Sequence, residues 1–314
     1  MTTRTSPRKG SLQFWPRKRA KKFLPRVNWT AVSENKFPLK GFICYKAGMK
    51  SAYVKNTTEH SLTKGKNIIV PVTILECPPM RIFSVRFYKD SKVAKEIIAE
   101  NPEKELKKKI KLPKSKTKSF EDINFDYDDI SVIVYSQVKK TGLKKSPDMA
   151  EIGLNGSKEK KLKFVKENIK KEFSIFDVFS SGELIDVRGL TKGKGLCGPV
   201  KRFGIHLKAY KSEKGQRRPG SLGPWHPARV IFRVPMAGQL GMFTRIVYNN
   251  KIVKILKGSE KPLENIKNYG DIKEDYLLVA GSVQGPAKRQ LLITAPLRKS
   301  KKQEKKKFEF LELR

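Results

Sequence analysis

The chain has 314 residues, with 69 Lys/Arg against 30 Asp/Glu, a formal net charge of +39 and a pI near 10.1. A charge this large says nothing about fold but selects polyanionic partners, nucleic acid or an anionic membrane. No run approaches the ~18 apolar residues of a spanning helix, and the N-terminus lacks the apolar core of a secretory signal, so a cytosolic chain is expected.

Residues 1–26 hold nine Lys/Arg, no acid, and the aromatics Phe14, Trp15 and Phe23. Pro7, Pro16 and Pro25 interrupt any helical stripe. The reading is an extended basic arm over residues 1–38, disordered alone and ordered on nucleic acid. From Leu39, β-branched and aromatic runs predict antiparallel strands at 39–49, 66–77 and 81–89. The pattern resumes at 183–191, 228–235, 245–256, 275–282 and 289–294. Such unequal intervals, with insertions between strands, suit a small closed antiparallel barrel built from 39–91 and 173–297. Cys44 and Cys77 lie in these runs and read as small buried hydrophobes.

Residues 92–172 read as an inserted α/β domain. Helices are predicted over Val93–Ile110, despite Pro102, and over Ser157–Phe173. In the second, Leu162, Val165, Ile169 and Phe173 form one stripe that packs on the rest of the insert. Ile130–Val138 reads as a strand between them. The insert holds 21 Lys/Arg and 14 acids, so the excess of cations lies elsewhere. Residues 298–314 read as a lysine-rich tail, mobile or RNA-bound. The fold class is therefore mainly β with an α insertion, a long basic loop and an N-terminal arm.

The stretch from Gly189 to Gly241 holds eleven Lys/Arg, ten glycines and the single acid Glu213. Its middle, 194–223, has neither a helical nor a strand period. It reads as a basic finger, residues 190–227, whose ends are fixed in strands. Eleven cations in one such stretch repel each other unless a polyanion neutralises them, and Lys/Arg against phosphates release counterions. Trp225 and His226, stiffened by Pro224 and Pro227, are placed to stack on or hydrogen-bond an unpaired base. The competing reading makes Trp225 a core plug.

Catalytic and metal chemistry find little support. Gly193–Gly198 matches GxGxxG, but a following helix is not expected because Pro199 and Gly204 intervene. Cys197 and His206 suggest a thiol and base, with no geometry to hold them. The three cysteines and three histidines show no metal-ligand spacing. Neither a cofactor nor a metal is expected. Glycine- and proline-punctuated basic loops favour RNA over a membrane, which would select a basic amphipathic helix. The alternatives weighed are another basic nucleic-acid binder of chromatin type and an enzyme acting on RNA.

Four motifs stand in a telling order: TKGKG at Thr191–Gly195, RRPGSLG at Arg217–Gly223, WHPARV at Trp225–Val230 and MAGQLG at Met236–Gly241. With SPRKGSLQFWPRKRA at Ser6–Ala20 and GSVQGPAKRQLLI at Gly281–Ile293, the chain resembles the universal large-subunit ribosomal protein L-three family, archaeal type, over nearly its whole length. The resemblance implies a six-stranded barrel of the translation-protein type and no enzymatic activity. It implies a structural place in the large subunit, in the cytoplasm, with large-subunit rRNA and neighbouring ribosomal proteins as partners. It also implies contact near the 3′ part of that RNA, early participation in assembly, and a finger reaching toward the peptidyl-transferase centre. The residues expected on RNA are Arg8, Lys9, Trp15, Arg17, Lys18 and Arg19 in the arm. In the finger and just beyond it they are Lys192, Lys194, Lys201, Arg202, Arg217, Arg218, Trp225, His226 and Arg229.

Overall fold

The computed structural model describes residues 10–34, 37–99, 102–113 and 126–314. In chain order the elements begin with β1 (Gly41–Asn56), β2 (Asn67–Glu76), β3 (Met80–Lys89), β4 (Lys92–Ile98), β5 (Asp129–Ser136) and β6 (Met149–Gly153). Then come α1 (Lys158–Asn168), α2 (Ile175–Val178), β7 (Leu184–Leu190), β8 (Gly195–Cys197), α3 (Pro199–Phe203), β9 (Gly238–Leu240) and β10 (Thr244–Leu256). The chain closes with β11 (Leu263–Ile266), β12 (Gly270–Ile272), β13 (Tyr276–Ala280), β14 (Gln290–Thr294), α4 (Lys301–Glu304) and β15 (Phe308–Leu313). Two compact units result: Phe23–Gly189 with Arg245–Arg314, and Met1–Lys22 with Leu190–Thr244.

The first of these units is mainly β. Strand β1 pairs with β2 along most of its length, from Tyr45↔Glu76 to Lys55↔Asn67. Its other edge is shared between β14, at Gly41–Tyr45, and β15, at Ala52–Asn56. The pairing runs β1-β2-β13-β10-β7-β14 and then returns to β1. Residues alternate between two cores. Leu75, Leu277 and Val279 join one, whereas Val72, Ile74 and Leu278 join the other, beneath β11, β12 and β15. Both faces of these strands are covered, which is why their sequences run almost continuously apolar instead of alternating. Burying each such side chain contributes on the order of 1.5–3 kcal/mol.

A second sheet has the order β4-β3-β5-β6, so β3 belongs here and not with the strands around β1. Phe164 and Val165 of α1 are buried in the first core, with Leu162 and Ile169 packed against it. Tyr45 ties the two sheets, its hydroxyl donating to Asp148 Oδ2 at 2.6 Å and lying 2.7 Å from Ser136 Oγ.

The helix expected over Val93–Ile110 is corrected. Asp90 and Ser91 both take positive φ, 49° and 60°, the two-residue turn whose twist suits a hairpin. The chain then returns as β4, antiparallel to β3 from Lys89↔Lys92 to Ser84↔Ile98. Among the described residues up to Pro113 only a 3-10 turn, Lys104–Lys108, follows, anchored by buried Leu106. The tail expected to be mobile or RNA-bound is also different. Phe308 and Phe310, alternating with Glu309, pack against the second core and form β15. Nor is the arm free throughout residues 1–38: Val27 and Val32 are buried in the first core.

Cys44 and Cys77 are 0% and 1% exposed, and burial pushes the Cys77 thiol well above its ordinary range. A thiol reagent at neutral pH should label neither in the folded protein and both after denaturation, read by peptide mapping. Rapid labelling of either under native conditions would contradict this packing.

Candidate nucleic-acid interface

The smaller unit holds nineteen Lys/Arg and one acid, Glu213. Its base is the antiparallel pair β8 and β9, in register Gly195↔Leu240, Leu196↔Gln239 and Cys197↔Gly238. Thr191 N donates to Phe243 O at 3.0 Å, and Lys194 N to Leu240 O at 2.9 Å. Gly241 permits the close approach: its φ is +81°, and a Cβ there would fall 1.9 Å from Lys192 O. Any other residue would both strain the backbone and push the two chains apart.

Helix α3 corrects the expectation that no helix follows the glycines. Pro199 opens it, where the missing N–H costs nothing, and Gly204 ends it in the left-handed region at φ 64°. One short turn, preceded by antiparallel β8, still does not make the βαβ unit of a dinucleotide site. The strand expected at Ala228–Pro235 is corrected too. That stretch is irregular, and Val230, Ile231 and Phe232 are 52%, 39% and 56% exposed. Its β-branched composition has no partner strand among the described residues, and a lone extended segment leaves its backbone to solvent.

The predicted site residues separate into two groups. Lys18, Arg19, Lys192, Lys194, Lys201, Arg217, Arg218, Trp225, His226 and Arg229 are exposed. Trp225 is 87% exposed, so the core-plug reading fails. Trp15, Arg17 and Arg202 are instead half-buried around Phe203, itself 3% exposed. Trp15 meets Phe203 at 6.2 Å and Phe232 at 5.6 Å between ring centroids. The Arg17 guanidinium lies 4.4 Å from the Phe203 centroid and donates to Arg202 O at 3.2 Å. Arg202 donates to Gln239 O at 3.1 Å and Met236 O at 3.0 Å. Burial lowers the pKa of Arg202, yet an arginine stays charged at physiological pH. These three hold the arm and the base of the excursion in shape, with Ala20 N donating to Met242 O at 3.0 Å. Arg8 and Lys9 lie outside the described residues. Sequence reasoning missed Phe203 as the anchor; its place one residue before Gly204, at the end of a Pro-initiated turn, was the available signal.

From Gly204 to Ala237 no strand or helix forms among the described residues. One local turn is closed by Lys208 N to Gln216 O at 3.1 Å and Gln216 Nε2 to Tyr210 O at 2.9 Å. Beyond it, residues 221–230 are all exposed. Cations therefore surround an irregular, open backbone on which aromatic Trp225 stands outward. Such a surface can neutralise phosphates and stack a base.

No helix among the described residues is long and apolar enough to cross a membrane. A family model described as ribosomal protein L3 matches residues 1–131 and 126–313. The chain is 41% identical to the large ribosomal subunit protein uL3 of Methanocaldococcus jannaschii, covering 93% of this chain and 91% of that one. It is 39% identical to uL3 of Methanobrevibacter smithii, covering 97% and 95%, and 38% identical to uL3 of Archaeoglobus fulgidus, covering 94% and 92%.

Proposed function

The chain belongs to the ribosomal protein L3 family, and on that premise we propose that it is a structural constituent of the large ribosomal subunit that binds large-subunit rRNA directly. It is a structural protein of translation, not an enzyme. It works in the ribosome, in the cytoplasm, beside other large-subunit proteins. The observation that carries direct RNA binding is the smaller unit itself, with nineteen Lys/Arg against one acid in its sequence and an exposed, irregular backbone over most of its described residues from Gly204 to Ala237.

The exposed cations neutralise phosphates and set the position of the loop. Trp225 and His226 contact unpaired bases. Trp15, Arg17 and Arg202 serve this role indirectly, by fixing the arm against the base of the excursion. The strands whose pairing returns to β1 form a small closed barrel, which seats the protein on the subunit. The excursion reaches toward the peptidyl-transferase centre, and binding near the 3′ part of the RNA occurs early in assembly.

Sedimentation tests the central claim. The protein should remain with large subunits through a high-salt cushion, because many contacts must break together. Release with loosely bound factors would count against it. Arg217→Ala with Arg218→Ala should weaken incorporation into the subunit and reduce the salt slope of RNA binding by about 2, one per lost phosphate contact. An unchanged slope would remove these two residues from the interface.

A further inference from the structure

The excursion encloses a cleft of about 320 Å³, at the small end of the range for ligand sites. Its wall is apolar, with Leu222, Pro224, Ile231 and Val234, and Arg229 and Arg233 also line it. A Cβ on Gly223, at φ +144°, would meet nothing within 4 Å, so the cleft is open on that side. Trp225 is 87% exposed and is not among the lining residues. The cleft is thus a second apolar surface beside the exposed tryptophan.

We propose that this cleft receives one unpaired base of an RNA strand, whose phosphates lie against Arg229 and Arg233. The inference rests on the RNA-binding reading above and names a particular contact within it. Size, shape and charge agree on the occupant. A cleft this small takes one flat group, not a folded element. Proline rings and aliphatic side chains offer apolar faces between which an unpaired base packs. Around it the only acid between residues 190 and 237 is Glu213, so the flanking charge of the ligand is negative. An extended acidic peptide fits less well, because residues 204–237 present no strand edge to pair with its backbone.

The test uses the full chain carrying Trp225→Ala, which removes stacking at the neighbouring site. Its affinity is measured by fluorescence anisotropy for an RNA octamer and for an octamer of the same ribose-phosphate backbone without bases. The base-bearing octamer should bind about tenfold tighter. Adding Leu222→Ser and Ile231→Ser should abolish that preference and leave the salt slope unchanged. Both residues are 39% exposed, so the change breaches no core. Equal affinity for the two octamers, with steep salt dependence kept, overturns the base cleft and leaves RNA binding standing. A preference that survives the two serines also overturns it. Binding of neither octamer removes both readings. Displacement of the octamer by an acidic peptide as effectively as by RNA assigns the cleft to another ligand and overturns the proposal.

Discussion

RNA affinity is expected to fall by roughly 10³–10⁵ between about 50 and 200 mM salt, the drop for a protein that neutralises six to ten phosphates. The smaller unit offers nineteen Lys/Arg, more than such a footprint needs. Arg17 and Arg202 are committed to protein contacts, but Lys192, Lys194, Lys201, Arg217, Arg218 and Arg229 stand exposed, with Lys18 and Arg19 in the arm. Those eight are enough for the slope. The remaining cations of the unit add non-specific attraction that salt screens equally. An affinity that barely changes over this range would show that charge is not what binds, and the RNA reading would lose its main support. Binding curves at four or five salt concentrations decide it.

The β-runs were legible because apolar composition survives burial on both faces. Runs such as Val72–Leu75 need no alternation to be recognised as strands once Gly, Pro and Asn bound them. The Val93–Ile110 error has the opposite origin. Lysine, glutamate and isoleucine there match a helical period, but a two-residue turn at Asp90-Ser91 decides the outcome. The turn precedes the stretch, so a window placed on the stretch misses it. β15 was hidden by composition: lysines at 305–307 mask the alternation of Phe308, Glu309 and Phe310. At the candidate interface, charge identified the residues but not their roles. Nothing local distinguishes Arg202, folded onto Phe203, from Lys201 beside it, which is exposed. That difference arises from which side of a one-turn helix meets the arm, a long-range fact.

Phe203→Ala and Trp225→Ala should therefore have opposite consequences. Phe203 is 3% exposed, and the Trp15 ring, Arg17 and Arg202 all pack on it. Truncating a buried phenylalanine costs about 3–5 kcal/mol. Among its described residues the smaller unit has few other buried side chains, chiefly Leu190, Cys197 and Pro199, so it has little with which to offset that loss. In the parent chain, a protease should cut within residues 204–237, where no element holds the backbone. In Phe203→Ala, cutting should extend to Arg17, Lys18 and Arg19, and the larger unit should keep its melting temperature. An arm as resistant as the parent's would show that Phe203 does not anchor it. Trp225, by contrast, is 87% exposed and its removal should shift thermal unfolding by no more than about 0.5 kcal/mol. It should instead weaken RNA binding by about 1–3 kcal/mol, the worth of one stacked base. If Trp225→Ala melts the free protein early and binds RNA normally, the tryptophan packs against the protein and the finger has no stacking tip.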